Sequence, residues 1–589
     1  MESQKIENTL NLSLDATNKE KEKSLNLGVG YDSQNNRWEV IVKYSGDITR
    51  LEDSRWQVVK LLNEYAIVLV DSQDLNSLAS IPEVEYIEKP KSLYFERLNG
   101  KRTSCVLSVQ DQTTNLKGKG ILVGIIDSGI DFENMEFRNA DGTTRLVALW
   151  DQSIDGNPPG GYLQGSEFTK EDINKYLQNE KIISSSNPGG IIDKVGGASE
   201  EKIVLNTLSK SKDFSGHGTE VAGIAVGTRG VASEADIIVV KLGNPRRGAF
   251  PRTSELMQGI DYMVRVALER KQPIAINISF GNTYGAHDGS SLLERYIDDI
   301  SNYWKNTICI GAGNEGSTAG HAKGVLEEEE IKVVELAVSS RELSLNIQLW
   351  KGYEDEVEIA IISPSGKRIG PLISNMTTQR YRVDDTEILA YYGEPNPYSV
   401  LQEIYIELLP KFVYIDTGVW NIELIPKKIV TGVYNMWLPS YGAINIGTNF
   451  LEPEVNNTIT IPATAKRVIS VGAYNSLSGT YADFSGRGKL VNPMATKPDI
   501  VAPGVRVSTT AVGGGQVVVS GTSFSTPFAT GAAALLMEWG IIRGNDPFLY
   551  GEKVKAYFRK GAEEVAGLRR YPNIETGWGA LCVENSIPR

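Results

Sequence analysis

Histidine and cysteine are scarce in this 589-residue chain, at three of each. Cys105, Cys309 and Cys582 are odd in number, far apart and without metal-ligand spacing, and Cys309 lies inside an apolar run. This pattern predicts neither a zinc site nor a disulfide framework. His287 and His321 stand among glycines and polar residues and read as solvated loop positions, which leaves His217 as the one histidine in a chemically suggestive context. Positive charge is also short, with 60 Lys and Arg against 73 Asp and Glu and a net charge of −13. That balance argues against nucleic acid or an anionic membrane as partner, since both need a basic face. No run is long and apolar enough to span a membrane. The first 27 residues are polar and lack a basic segment followed by an apolar one, so no signal peptide is expected and the expected location is cytoplasmic.

Three short segments are there in its place. Gly124-Ile-Ile-Asp-Ser-Gly129 ends a continuously apolar, β-branched run, which predicts a strand buried on both faces with Asp127 at its C-terminal edge. Open α/β sheets build their sites at that edge. Ser215-Gly-His-Gly-Thr219 leads into a small, apolar helical stripe and places His217 in a first helical turn. Gly521-Thr-Ser-Phe-Ser-Thr-Pro527 puts Ser523 at the start of a helix, with Ser and Thr suited to capping and Pro527 to a first turn. A serine hydroxyl is a poor nucleophile at neutral pH and needs an imidazole to take its proton and a carboxylate to hold that imidazole. A fourth segment, Ile308 to Gly316, is a strand running into a glycine turn that presents Asn314, a donor suited to a developing oxyanion.

In the order Asp, His, Asn, Ser, these segments resemble the subtilisin-like serine proteases, the subtilases. The resemblance extends to Ile276-Asn-Ile-Ser-Phe-Gly281 and to Lys497-Pro-Asp-Ile-Val-Ala-Pro-Gly504, and covers most of residues 120 to 540. It departs at Glu220, where a second histidine is frequent, and at Phe280, where leucine is common. The resemblance implies an α/β fold with a subtilisin-like parallel sheet and helices on both faces. It implies Asp127, His217 and Ser523 as the triad, Asn314 in the oxyanion hole, and Ser279, Phe280, Gly281, Gly311, Ala312 and Gly313 along the substrate. Subtilases often hold structural calcium, but no loop here has a trustworthy ligand spacing, so no metal and no other cofactor is expected.

Around these motifs the chain divides. Residues 1–96, with strand runs at Trp38 to Tyr44, Tyr65 to Val70 and Val84 to Glu88, read as a small α+β unit similar to a subtilase prodomain, or as an unrelated interaction domain. Self-cleavage, if it occurs, is expected between Leu93 and Ser104. Residues 97–324 and 455–589 read as the catalytic domain. The stretch after Arg145 to Gln152 is expected as a wall of the cleft. Alternating Leu343, Leu345, Ile347 and Leu349, and Trp420, Ile422 and Leu424, mark residues 325–454 as an inserted β-sandwich or jelly roll. A prodomain, no leader and a sandwich between the oxyanion Asn and the nucleophile together resemble the Csp-type spore-germination proteases. That resemblance implies a bound prodomain, a protein zymogen as substrate and a spore-associated location. Three other readings stand beside it: a pseudoprotease, germinant sensor or scaffold, an intracellular housekeeping subtilase, and a glycan-binding role for the insert with its Trp350, Trp420 and Trp437.

Overall fold

β-Branched runs decide the centre of the molecule. The computed structural model describes residues 2–46, 56–95, 104–106, 109–110, 114–185, 200–243, 251–374, 377–489 and 493–588. Strand Leu122–Asp127, buried at all six residues, lies in the middle of a nine-stranded sheet. Its neighbours are Asp236–Lys241 on one side and Ile274–Ile278 on the other, and the sheet continues outward through Leu146–Asp151 and through Asn306–Gly311 and Ile469–Asn475. These pairings are all parallel; only the short edge strands Ser166–Thr169 and Thr480–Tyr481 run antiparallel. Helices cover both faces, as runs this apolar require. His217–Val226 and Thr522–Met537 share one apolar core with one face, while Thr253–Glu269 and Leu292–Ile300 fill the other.

The N-terminal unit is a five-stranded antiparallel sheet, with Arg37–Tyr44 paired to Tyr65–Asp71, Val84–Glu88 and Tyr31–Asp32, and Gln57–Leu61 on the outer side of Tyr65–Asp71. The polar first 27 residues hold two helices, Asn8–Asp15 and Asn18–Lys23, the second started by a reciprocal cap between Thr17 and Glu20. The sheet sits over the helices Thr253–Glu269 and Leu292–Ile300. Glu88 Oε2 accepts from the Leu292 N–H (3.0 Å), and Asp261 Oδ1 accepts from the Leu62 N–H (2.8 Å). A carboxylate at a helix N-terminus meets both its orphan donors and its dipole.

Between Asn314 and Ser523 the chain builds two antiparallel sheets around one core that includes Ile347, Leu349, Ile359, Ile404 and Trp420. The first sheet contains His321–Val325, Val433–Trp437, Leu345–Gly352, Leu401–Pro410, Thr386–Tyr392 and Gln379–Val383. Leu12, Ala16 and Leu27 of the N-terminal unit pack on its outer face against Leu389, Tyr391, Tyr405 and Leu409. The sandwich therefore touches the N-terminal unit as well as the segment after Gly281, where the Thr283 hydroxyl donates to the Leu438 carbonyl (2.7 Å).

Several expectations fail. His287 and His321 are buried at 2% and 1% exposure, and both stack on Trp437, at ring distances of 4.3 and 4.8 Å. Glycine-rich surroundings mark solvated loops only where nothing covers them, and here the inserted sandwich does. Cys105 and Cys582, 477 residues apart, form a disulfide with a Cα–Cα distance of 4.9 Å, while Cys309 is free and buried. Sequence spacing says nothing about such a pairing, because the fold alone brings the two ends together. Pro527 lies inside its helix and not in the first turn. The stretch after Gln152 runs into strand Ser166–Thr169 and helix Lys170–Ser185, and its residues 186–199 lie outside the described residues, as do 96–103 of the expected cleavage window. Among the described residues no helix is long and apolar enough to cross a membrane.

The disulfide has a direct readout. Protein denatured without reductant is expected to take up one iodoacetamide per chain, on Cys309, and three after reduction; three without reductant would show that the Cys105–Cys582 bond is absent.

Candidate active site

Asp127 ends its strand at 0% exposure, and His217 opens its helix from the facing loop, with Nδ1 2.7 Å from Asp127 Oδ1. The Ser128 N–H also donates to Asp127 Oδ1 (2.7 Å). This pairing fixes which imidazole nitrogen carries the proton. Burial disfavours the imidazolium, but the Asp127 carboxylate together with Glu220 and Asp213 favours it, and the His217 pKa lies above the ordinary histidine value. Asp213, not singled out from the sequence, ties the two loops together. Its Oδ1 accepts from the Gly216 N–H (3.0 Å) and the Ser128 hydroxyl (2.8 Å), and its Oδ2 accepts from the Thr219 N–H and hydroxyl (2.8 Å each). Ser128 Oγ in turn accepts from the Gly218 N–H at 2.9 Å. The loops come so close that a Cβ on Gly218 would stand 2.1 Å from the Gly129 carbonyl. The signal available in the sequence was an aspartate just ahead of a Ser-Gly-His-Gly-Thr helix start.

Ser523 is buried in the first turn of Thr522–Met537, where N–H groups lack helical acceptors. Pro527 has no N–H to give to the Ser523 carbonyl four residues earlier. The Ser279 hydroxyl supplies the missing donor, at 3.0 Å. Ser279 Oγ accepts from Asn277 Nδ2 (2.8 Å), and Asn277 Oδ1 accepts from the Thr530 hydroxyl (3.0 Å), so a buried polar chain joins the helix that carries Ser523 to strand Ile274–Ile278. Sequence reading missed Asn277 and Thr530. The Ser523 hydroxyl donates to the Ser279 carbonyl at 3.2 Å.

Asn314 follows strand Asn306–Gly311, and its Oδ1 accepts from the Thr522 N–H at 3.0 Å. A backbone N–H can only donate, so the amide is oriented without ambiguity, and Nδ2 is buried with no hydrogen-bond partner among the described residues. Gly313, at φ +93°, lies so close to Thr460 that a Cβ would stand 2.6 Å from its side chain; a Cβ on Gly281 would stand 2.4 Å from Thr460 Oγ1. Thr460, also missed from the sequence, thus fills the space between the segments Ser279–Gly281 and Gly311–Gly313.

An extended segment of the N-terminal unit lies along this edge. Phe280–Gly281 pairs antiparallel with Tyr94–Phe95, and on the other side the Leu93 N–H donates to the Pro251 carbonyl (2.6 Å) while the Thr253 N–H donates to the Lys91 carbonyl (2.7 Å). Leu93 is buried at 0% exposure. Among the described residues, one group of three His, Cys, Asp or Glu side chains is close enough to share a metal, Cys105, Glu563 and Cys582. Two paired sulfurs and one carboxylate do not fit calcium, which takes oxygen ligands.

Comparison with known proteins agrees with this arrangement. A profile described as the Csp protease B prodomain matches residues 4–91, and that of the Subtilase family matches residues 118–348 and 445–579. The solved structure of the Clostridium perfringens CspB protease is 34% identical, covers 82% of this chain and 95% of that one, and superposes with a TM-score of 0.72. Among curated proteins, the subtilisin-like protease SBT3.17 of Arabidopsis thaliana is 25% identical over 72% of this chain and 54% of its own length. The serine protease AprX of Bacillus subtilis (strain 168) is 33% identical over 23% of this chain and 32% of its own. The chain therefore spans about half of the first of these curated relatives and a third of the second. With the family profile matching both halves of the parallel sheet and every segment that carries Asp127, His217, Asn314 and Ser523, the chain belongs to the subtilase family.

Proposed function

We propose that this chain is a serine endopeptidase that cuts its own N-terminal unit free and then acts on a protein substrate. The observation that carries the reading is the buried His217–Asp127 pair, with an Nδ1–Oδ1 distance of 2.7 Å, beside a serine at a helix N-terminus. In this reading His217 Nε2 takes the proton of the Ser523 hydroxyl as Oγ attacks the peptide carbonyl. Asp127 holds the imidazole tautomer and stabilises the imidazolium. Asn314 Nδ2 and the Ser523 N–H hold the oxyanion, and Ser279, Phe280, Gly281, Gly311, Ala312 and Gly313 line the extended substrate. His217 protonates the leaving amine, and water repeats the sequence on the acyl-enzyme.

Residues 1–96 act as the prodomain, 97–324 and 455–589 as the catalytic domain, and 325–454 as the inserted sandwich. The pairing of Tyr94–Phe95 with Phe280–Gly281 supports a tail that lies in the cleft as a substrate would. The match to a Csp prodomain supports limited proteolysis of a zymogen in spore germination, with the prodomain as a lasting partner and a cytoplasmic or spore-associated location.

Four outcomes test this. Intact mass and N-terminal sequencing of the purified chain beside Ser523→Ala are expected to show a break between Leu93 and Ser104 in the parent alone; a break in both would remove self-cleavage, and an intact chain in both would favour a pseudoprotease. Asn314→Ala is expected to lower kcat about 10²–10³-fold with KM little changed, because the donor acts on the transition state. Because His217 must be neutral to accept a proton and its pKa is raised, kcat/KM is expected to fall with acid at an inflection above pH 6.5. Asp127→Asn moves that inflection down and costs about 10⁴ in kcat.

A further inference from the structure

One end of the inserted sandwich is apolar and uncovered. Leu343, Phe412, Val413 and Ile446 are 58%, 68%, 58% and 80% exposed, and Tyr414 and Tyr441 stand beside them, about half-exposed. They come from three loops that meet at Glu342, one through its backbone carbonyl and one through its buried side chain. The Ile415 N–H donates to the Glu342 carbonyl (3.0 Å), while Glu342 Oε2 accepts from the Asn445 N–H (3.0 Å) and the Thr448 hydroxyl (2.5 Å). These loops are held as one surface, so the exposed side chains are presented together. Leaving such side chains in water forfeits about 1.5–3 kcal/mol each, and patches of this kind mark interaction sites.

The loop that carries Tyr441 and Ile446 also reaches the cleft. The Tyr441 N–H donates to Glu315 Oε1 (3.2 Å), next to Asn314, and the turn Tyr441–Ala443 lies against the strand Tyr94–Phe95 that pairs along the cleft. Any chain threaded there in the same way passes this end of the sandwich. We propose that the loop end formed by Leu343, Phe412, Val413, Tyr414, Tyr441 and Ile446 is a docking surface for the protein substrate, and that it engages apolar side chains next to the cleaved segment. The proposal rests on the endopeptidase reading. The net charge of −13 disfavours an anionic membrane as occupant.

The test is the triple variant Leu343→Ser, Phe412→Ser, Ile446→Ser, whose side chains are all exposed, with an unchanged thermal midpoint as the check on folding. In the Ser523→Ala background it is expected to bind β-casein at least tenfold more weakly. With Ser523 present it is expected to lose a similar factor in kcat/KM on β-casein, through KM, while fluorophosphonate labelling and hydrolysis of a five-residue peptide stay unchanged. Equal casein binding, or an equal fall on casein and peptide, overturns the docking surface. Dimerisation of the parent chain that the triple variant abolishes overturns it in favour of self-association. Absence of fluorophosphonate labelling in the parent overturns the endopeptidase reading alone, because casein binding to the Ser523→Ala chain is measured without turnover.

Discussion

A carboxylate buried at the end of an apolar strand is the constraint around which this molecule is arranged. Asp127 has 0% exposure, and removing an ionised group from water is costly unless donors replace its hydration. The His217 ring and the Ser128 N–H supply them at Oδ1, while Oδ2 has no hydrogen-bond partner among the described residues. To bring that ring in, the chain must start a helix beside the Asp127 loop, and the aspartate at 213 ties the helix start to Ser128 while glycine at 218 permits the close approach. The same charge keeps the His217 pKa up despite burial. Polar satisfaction and proton affinity are here one arrangement, not two.

A second exchange joins Ser523 to the edge that pairs with the N-terminal tail. A proline inside a helix removes one N–H and exposes one carbonyl; in most helices this is a defect. At Pro527 the exposed carbonyl belongs to Ser523, and its donor is the Ser279 hydroxyl, which stands directly before the strand that pairs with the N-terminal tail. A shift of that edge is therefore felt at the helix start. The polar chain through Asn277 and Thr530 holds the junction from below, in a region otherwise filled by apolar side chains.

What could be read from the sequence follows from the range of the forces involved. The strand into Asp127, the helix after His217 and the strand into Asn314 are local patterns of β-branched, small and glycine residues, so six or seven positions suffice to read them. The strands of the N-terminal unit and of the sandwich follow from local patterning for the same reason, although Leu343, read with the alternating set, lies outside strand Leu345–Gly352 and is exposed; the arrangement of the α/β sheet came from the family resemblance. Residues whose position depends on distant chain were not legible. His287 and His321 sit against Trp437 because the sandwich closes over them, and Cys105 meets Cys582 across almost the whole chain. Thr460 has no motif of its own and gains its place only when Gly281 and Gly313 are folded around it. Pro527 was misread because capping statistics describe a helix start in isolation, whereas this one has an outside donor.

The place of the insertion in the sequence adds a mechanical consequence. The sandwich leaves the central fold just after Asn314 and returns just before Thr460, so both of its connections flank the segments that line the cleft. Trp437 wedged between His287 and His321 fixes its orientation; burial drives the His287 pKa down to about 4 and lowers that of His321, so both rings are neutral at physiological pH and stack without adding charge to the interface. Glu315 completes the link, a buried carboxylate with its pKa raised by burial, bonded on one side to the Thr318 hydroxyl and on the other to the Tyr441 N–H of the sandwich. Asn314 precedes it by one peptide. Displacement of the sandwich would thus move the amide donor beside Ser523 before it moved the sheet, which is held by its own ladder of parallel strands.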